Sequence, residues 1–318
     1  KKLKGHSCRA KGFTCIIGVG GDGTLNEIAK PLINKKNIFT IRDMKEADEL
    51  KGHLEDKESV VTIGGGVQGL ETAWSILKAG KKVSIVEVAP LLMRRQLDTK
   101  SSLLLKRRIE KEGVKVYLNT SIDSILGKES VTGIKMNDNS QINCDSIVYS
   151  IGVTPNTKLV HDTAIKLNRG IVVDEKMRTN IDSVYAAGDV AEVNNEIEGL
   201  WGTALEQGRV AGSNMVSKTA IYKKEIPTTI FNAFNVSLFS IGVVNEEQCD
   251  TTIVEEDGKE KYTRLFIKDN KIVGVISLEG VAASISYKSA IEKHVSLEGI
   301  GLLNTNISEI MNKLKEKI

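Results

Sequence analysis

The chain has 318 residues, enough for two or three domains. Its hydrophobic fraction of 41% is somewhat below the usual range, and its charged fraction of 27% is ordinary for a soluble globular protein. Its 44 lysines and arginines against 41 aspartates and glutamates leave a formal charge of +3, too small and too scattered to predict a nucleic-acid-binding surface. No stretch approaches the roughly 20 apolar residues that span a bilayer, and the start lacks a secretory signal, so we expect a cytoplasmic protein with no membrane partner.

The cysteines and histidines of the sequence are isolated from one another. No C-x-x-C pair and no histidine pair with metal-ligand spacing occurs. We therefore expect free thiols in a reducing compartment, and neither a metal site nor a dithiol redox centre. The cysteines are Cys8, Cys15, Cys144 and Cys249.

Strands and helices alternate in the first half of the chain. A short strand at 37–42 and an amphipathic helix at 44–53 come first. The apolar, β-branched segment 59–63 then predicts a strand buried on both faces, as in a parallel sheet. It is followed by a helix, a strand, a helix and a strand, at 64–80, 81–87, 101–112 and 114–119. This order predicts a doubly wound, Rossmann-like α/β domain.

The pattern changes after residue 120. Residues 121–152 alternate around turn residues and predict an antiparallel meander appended to the α/β unit. Next we place a loop, a hairpin-like region, a strand and a helix, at 150–157, 169–180, 183–189 and about 203–217. After Pro227 the sequence predicts a C-terminal α+β module. Its strands lie at 234–244, 251–256, 262–268 and 271–280, and its helices near 282–293 and 307–317.

The turn after strand 59–63 has the spacing G-x-G-x-x-G in Gly64, Gly66 and Gly69. Gly64 permits the tight turn, Gly66 lets the backbone approach a pyrophosphate, and Gly69 lets the helix pack closely on the strand. The N–H groups and dipole at the helix N-terminus favour an anion there. Glu87 ends the next strand, where its carboxylate can accept both ribose hydroxyls of NADH and would repel the 2′-phosphate of NADPH.

The glycine spacing alone is weak evidence, because such a turn also occurs in α/β folds that bind no nucleotide. Here strand, helix, second strand and terminal acid follow in the expected order, so we predict an NADH site that includes Gly65 and Val67.

A second glycine turn follows strand 183–189. Asp189 stands just after Gly188, where a carboxylate can bond a ligand hydroxyl while the turn's backbone approaches closely. Gly-Asp turns are also common in ordinary loops, so the chemistry of this pair leaves the functional and the structural interpretation equally open.

Five motifs together resemble one family. They are GGGVQGLE at 64–71, LMRRQLD at 92–98, SIGVTPNT at 150–157, MRTNIDSVYAAGDVAE at 177–192 and ALEQGRVAGSNM at 204–215. In this order they are similar to the FAD-dependent pyridine nucleotide-disulfide oxidoreductases. The branch that they resemble includes NADH:rubredoxin reductases and the flavin subunits resembling nitrite reductase. The resemblance covers about residues 37–318.

The resemblance implies FAD and NADH as cofactors and places residues beside each. Asp189 would bond the ribityl chain of FAD, and Gly188 would give it room. Ala204 and Gln207 would lie on a helix whose start faces the flavin.

Two further residues acquire a role through the same resemblance. Gly152 would lie beside the bound NADH, in the loop between two nucleotide domains. Glu71 would lie near the nicotinamide end, with a solvated helix carboxylate as the alternative.

The implied reaction is hydride transfer from NADH to FAD and then electron transfer onward, with the protein supplying orientation and exclusion of water. No catalytic side chain is assigned. Because the cysteine pair is missing, we expect a protein or small-molecule electron acceptor, such as a small redox protein, rather than a disulfide. We also expect a homodimer or a partner chain.

The family resemblance divides the chain into four parts. They are an N-terminal remnant or fused segment at 1–37, an NAD(H)-binding domain at 38–148, the second segment of a discontinuous FAD domain at 149–225, and a C-terminal α+β interface module at 226–318.

The N-terminal part departs from the family. We expect the first FAD-binding segment to be absent, although residues 13–18 occupy the place of the strand that normally completes it. Residues 16–27 resemble instead the nucleotide-binding motif of diacylglycerol-kinase-like lipid kinases and NAD kinases. A fused or misassembled reading frame, unobserved segments and a divergent turn all remain open. The alternative functions are a non-catalytic NAD-binding or interaction module and, with less support, a lipid-kinase-like remnant.

Overall fold

The computed structural model describes the backbone of residues 15–18 and all of residues 36–257, 261–278, 280–300 and 306–316. The chain forms two compact units. The smaller unit comprises Gly152–Glu225 and the described strand within Lys1–Ala29, and the larger comprises Lys30–Ile151 and Ile226–Ile318.

The strands are β1 Cys15–Gly18, β2 Ile38–Phe39, β3 Ser59–Ile63, β4 Lys82–Val86, β5 Lys115–Tyr117, β6 Ile122–Leu126, β7 Gly133–Met136, β8 Gln141–Asn143, β9 Ser146–Tyr149, β10 Ile171–Val173, β11 Val184–Ala187, β12 Ala191–Val193, β13 Thr228–Ala233, β14 Val236–Gly242, β15 Thr251–Glu256, β16 Tyr262–Lys268 and β17 Lys271–Leu278. The α-helices are α1 Met44–His53, α2 Val67–Lys78, α3 Thr99–Lys111, α4 Trp201–Met215, α5 Ser284–Glu292 and α6 Ile307–Lys315.

The larger unit is built on a parallel sheet with the strand order β2-β9-β3-β4-β5. Along the chain, β3 leads to β4 and β5 on one side, whereas β9 joins β3 on the other. The order therefore reverses between β3 and β9, and in open α/β sheets ligands bind at the carboxyl ends of the strands beside such a reversal. Ile63 and Tyr149 end these two strands as register partners.

The two faces of the parallel sheet are covered differently. Apolar residues of α2 and α3 pack with Val60 and Ile85 on one face, and Val61 and Ile147 pack with the strands β6, β7 and β8 on the other. These three strands form the predicted antiparallel meander.

The last strand of the predicted meander lies elsewhere. Residues 146–149 were expected to belong to the meander, but they form β9, which is parallel to β3. Ser146, Ile147 and Val148 are buried, which is the pattern of a strand inside a covered sheet. The alternating sequence around 141–151 does not distinguish the two environments, because sheet membership depends on distant partners.

An antiparallel sheet with the order β13-β14-β17-β16-β15 completes the larger unit. Its two faces separate cleanly. Leu265 and Val275 pack under α5 and α6, whereas Phe266 and Ile276 face the core shared with α2 and α3. The predicted fold class, a Rossmann-like α/β domain with a C-terminal α+β module, is confirmed.

The first strand of this antiparallel sheet was missed. The sequence predicted a strand from residue 234, but Phe234 and Asn235 have φ values of +53° and +55° and form the turn between β13 and β14. The apolar Phe234 was interpreted as part of a strand. It is instead a buried turn residue, whose ring centroid lies 5.1 Å from that of Trp74 on α2.

The smaller unit contains two pairs of parallel strands, β1 with β11 and β10 with β12, and the helix α4. The predicted hairpin at 169–180 is wrong, since β10 pairs in parallel with β12 rather than with a strand beside it in the sequence. None of the described helices combines the length and the apolar character needed to cross a membrane.

Candidate functional site

The glycine turn at the end of β3 contains glycines in two kinds of surroundings, packed and open. Gly64 has a φ of +112°, and a Cβ there would lie 2.3 Å from the carbonyl oxygen of Ser150. A Cβ on Gly69 would lie 2.2 Å from the carbonyl oxygen of Gly64. A side chain at either position would collide with backbone, so both glycines are required by the fold itself.

Gly66 is different, because nothing lies within 4 Å of the position that its Cβ would occupy. It is the N-cap of α2, and no side chain caps this end of the helix. Val67 begins the helix immediately afterwards. The N-terminus of α2 therefore borders open space, where its unpaired N–H groups and dipole favour an anion.

Glu87 lies at the same turn, as the sequence predicted. One of its carboxylate oxygens accepts a hydrogen bond of 2.5 Å from the N–H of Gly65, and the other accepts one of 2.7 Å from the N–H of Ala89. These bonds fix the carboxylate next to the glycine turn. Each oxygen retains a second lone pair for a ligand hydroxyl.

Glu71 is the fifth residue of α2, just beyond its first turn, and is exposed. Partial burial raises the pKa of its carboxyl group. The structure thus brings Gly64, Gly65, Gly66, Val67, Gly69, Glu71 and Glu87 together around the start of one helix.

Ser150 lies against this turn, and the sequence analysis did not single it out. Its N–H donates to the carbonyl oxygen of Ile63, and its buried Oγ has no hydrogen-bond partner among the described residues. It lies against both Gly64 and Gly69. The signal that could have found it is its position directly after β9, the neighbour of β3 in the parallel sheet.

The second glycine turn, in the smaller unit, is held by a side chain. The N–H of Gly188 donates a hydrogen bond of 2.8 Å to Oε1 of the buried Gln207, and the φ of Gly188 is +83°. A Cβ on Gly188 would lie 3.7 Å from the Cβ of Ala204, an ordinary contact. Asp189 is half-buried, and its carboxylate makes no hydrogen bond in the described part of the chain.

Sequence reasoning missed a polar network at the start of α4, the helix that carries Gln207. Tyr222 donates a hydrogen bond of 2.7 Å to Glu198, which also accepts one from Thr203 on the first turn of α4. Burial and the bond to Glu198 raise the pKa of Tyr222 to about 12, so the hydroxyl stays protonated and donating at neutral pH.

Gly152 is exposed, with a φ of +104° and no atom within 4 Å of its Cβ position. It is the first residue of the second segment of the smaller unit, and its place beside NADH stays a prediction. The kinase-like motif at 16–27 lies outside the described residues except for its first three, which end β1 beside β11.

Comparison with known families identifies two regions of the chain. Residues 5–208 match the family "Pyridine nucleotide-disulphide oxidoreductase", and residues 227–295 match the "Rubredoxin NAD+ reductase C-terminal domain".

Known proteins of several names are similar to this chain. It is 34% identical over 250 residues to the nitrite reductase [NAD(P)H] of Bacillus subtilis, which covers 77% of this chain and 31% of the reductase. It is 30% identical over 285 residues to the NADH-rubredoxin oxidoreductase of Clostridium acetobutylicum, which covers 90% of this chain and 71% of that protein. The chain thus spans less than a third of the first relative and about 70% of the second.

Solved structures show the same fold. The crystal structure of the Clostridium acetobutylicum NADH:rubredoxin oxidoreductase matches with a TM-score of 0.71 and 28% identity, over 94% of this chain and 74% of that one. The covalent putidaredoxin reductase–putidaredoxin complex matches with a TM-score of 0.83 and 20% identity, over 96% of this chain and 74% of that one. With its glycine turn, its fold and a family match over residues 5–208, the chain belongs to the pyridine nucleotide-disulphide oxidoreductase family.

Proposed function

We propose that this chain binds NADH and FAD and forms the electron-transferring part of a flavin-dependent NADH oxidoreductase. When both groups are bound, NADH supplies a hydride to the flavin, from which electrons pass to an acceptor. The chain's own residues bind and orient the two groups and keep water away from them.

The open space at Gly66 is the observation that carries the NADH proposal. Gly64 and Gly69 are packed against backbone, whereas the Cβ position of Gly66, which lies between them in the sequence, has no other part of the chain within 4 Å. A turn that served only the fold would not need a glycine at this position. A pyrophosphate beside the uncapped start of α2 supplies the reason, since its oxygens accept from the N–H groups there.

Glu87 supports NADH rather than NADPH as the nucleotide. Its carboxylate is fixed at the turn by the N–H groups of Gly65 and Ala89, so it cannot easily move away from a ligand. Ribose hydroxyls can donate to it, whereas a 2′-phosphate would place a second negative charge beside it.

The turn at Gly188 supports FAD. Gln207 fixes the backbone of Gly188 by accepting from its N–H, and the neighbouring carboxylate of Asp189 is left to accept from a hydroxylated chain such as the ribityl group. The residues present therefore fit the ribityl part of FAD.

A small redox protein is the proposed acceptor. The relatives named NADH-rubredoxin oxidoreductase and rubredoxin-NAD(+) reductase support this class, as does the match of residues 227–295 to the C-terminal domain of such reductases.

Burial and the neighbouring Asp145 raise the pKa of the Cys144 thiol to about 12, so this cysteine is not a thiolate nucleophile at neutral pH.

The test uses the visible spectrum of the full chain. The protein is incubated with FAD, freed of excess flavin, and titrated with NADH without oxygen. We expect retained flavin absorption that bleaches on NADH addition and returns when an oxidised rubredoxin is added. Asp189→Asn should retain less flavin, whereas the control Asp182→Asn, at an exposed aspartate before β11, should retain as much as the wild type.

Two results would contradict the proposal in different ways. A colourless chain that still binds NADH would instead favour a nucleotide-binding module without flavin chemistry. A flavoprotein that is not bleached by NADH would show that the glycine turn does not deliver the nucleotide.

A further inference from the structure

The loop of residues 88–97 connects the glycine turn to the C-terminal sheet. It leaves β4 after Glu87, to which the N–H of Ala89 donates. It then returns to the turn, where the N–H of Met93 donates a 2.8 Å bond to the carbonyl oxygen of Gly65. Leu92 packs so closely that a Cβ on Gly65 would lie 2.7 Å from its Cδ2. The 88–97 loop therefore forms a wall of the site proposed for NADH.

The conformation of the 88–97 loop is strained. Met93 has a φ of +47°, a left-handed conformation that costs a non-glycine residue of its size about 1 kcal/mol or more. Such a conformation persists only when surrounding contacts hold it.

The C-terminal antiparallel sheet supplies these contacts. Ser240 on β14 donates a 2.6 Å bond to the carbonyl oxygen of Gln96. Tyr262 and Arg264, both on β16, donate bonds of 2.5 and 3.0 Å to the same carboxylate oxygen of Asp98, the residue directly after the loop. Residues from a distant part of the sequence thus hold the end of the loop.

Asp98 both binds the C-terminal sheet and caps α3. Its other carboxylate oxygen accepts from the N–H of Ser101 and caps α3. Its side chain is 9% exposed and that of Arg264 is 13% exposed. Burial alone would raise the pKa of Asp98, but the hydrogen bonds from Ser101, Tyr262 and Arg264 hold it below its ordinary value. The ion pair is therefore intact at neutral pH.

We propose that Tyr262 and Arg264 are positioning residues for the NADH site. Through Asp98 they hold the 88–97 loop against Gly65 and Glu87, so the C-terminal sheet takes part in nucleotide binding without touching the nucleotide. This inference rests on the proposed NADH function of the glycine turn.

The test compares variants of the full chain by titration with NADH and with reduced nicotinamide mononucleotide, which lacks the adenosine half. We expect Tyr262→Phe to raise the NADH dissociation constant roughly threefold and Arg264→Gln roughly tenfold, the size expected for one neutral and one charged donor. The affinity for the mononucleotide should stay unchanged, because the loop borders Glu87, the ribose ligand of the adenosine half.

The matched control is Glu112→Ala. Glu112 accepts a 3.0 Å bond from Asn235, which also joins the C-terminal sheet to α3 but at the end of the helix away from the loop. This variant should leave the NADH affinity unchanged even where it lowers the melting temperature.

Three outcomes separate the inference from the function on which it rests. Folded Tyr262→Phe and Arg264→Gln variants with wild-type NADH affinity would overturn the inference alone. Equal losses for NADH and the mononucleotide would also overturn it, because they would indicate general loosening. A wild-type chain that binds no NADH would overturn the proposed function itself.

Discussion

Each unit of this protein has a glycine turn at the carboxyl end of a parallel strand, Gly64–Gly69 after β3 and Gly188 after β11. At the first turn, glycine is required because a Cβ would strike backbone 2.2 to 2.3 Å away at Gly64 and Gly69. At the second, a Cβ would have ordinary room, and only the φ of +83° disfavours a side chain. One turn is defined by packing and the other by backbone conformation and one hydrogen bond from Gly188 to Gln207.

This difference explains why the sequence of the first turn predicts a ligand better than the sequence of the second. Packing against a fixed backbone requires several glycines at fixed spacing, which few other structures share. A single left-handed glycine followed by aspartate occurs in many loops that bind nothing. The first turn, together with the strand, helix and terminal acid around it, therefore predicts a ligand class from the sequence, whereas the second turn needs the family resemblance for its interpretation.

The strongest test of the comparison is to add a Cβ to each turn. Gly64→Ala should lower the free energy of unfolding by about 3 kcal/mol or more, because backbone collision adds to conformational strain. Gly188→Ala should lower it by about 1 kcal/mol, since only the conformation is unfavourable.

Urea unfolding measures both variants. The half-buried Trp74 reports on the larger unit by its fluorescence, and circular dichroism follows the secondary structure of both units. Equal costs at the two positions would show that the turns are not built differently.

Gly66→Ala should affect binding rather than folding. Its φ of −81° suits alanine and its Cβ position is open, so the melting temperature should hold within about 2 °C. The methyl group would occupy the space of the pyrophosphate and raise the NADH dissociation constant roughly tenfold. Fluorescence titration with NADH checks this, and an unchanged affinity would contradict the assigned site.

Glu87→Gln should narrow the preference for NADH over NADPH roughly fivefold, because it removes the like charge and keeps one acceptor oxygen. Glu87→Arg is a poorer test, since it would leave the N–H groups of Gly65 and Ala89 without their acceptor. The ratio of the two dissociation constants is the measurement. Glu58→Gln, at the opposite end of β3, is the control and should not alter it.

The smallest effect is expected at Glu71. Burial raises its pKa above the ordinary value of 4.5, so the folded chain binds this proton more tightly than the unfolded chain. Its contribution is therefore favourable at low pH and is lost as the pH rises through the raised pKa. Glu71→Gln should be slightly more stable than the wild type at pH 7 and no more stable at pH 4. Urea unfolding at both pH values measures this, and a variant less stable at pH 7 would contradict it.

Local patterns in the sequence determined several strands and helices of the larger unit. The bounds of β3 match the predicted 59–63, and those of α1, β15 and β16 match as well. These elements are defined by short-range patterns, the apolar period and the glycine spacing, which residues carry wherever they are placed. The same patterns predicted that Gly64, Gly66, Gly69 and Glu87 would meet, because strand, helix and strand follow one another directly.

Only the tertiary structure decided which distant segments complete that turn. The segment of β9 was predicted to belong to the meander, because nothing in its local sequence indicates that it pairs with β3. Ser150 meets Gly64 across that pairing, and Asp98 meets Tyr262 and Arg264 across 164 and 166 positions of the chain. Neither contact has a local signature: a buried serine hydroxyl and a buried ion pair both use residue types that are common on surfaces. These residues become buried and meet their partners only when the sheets assemble. Their contribution to the turn therefore depends on the tertiary structure and cannot be predicted from local sequence.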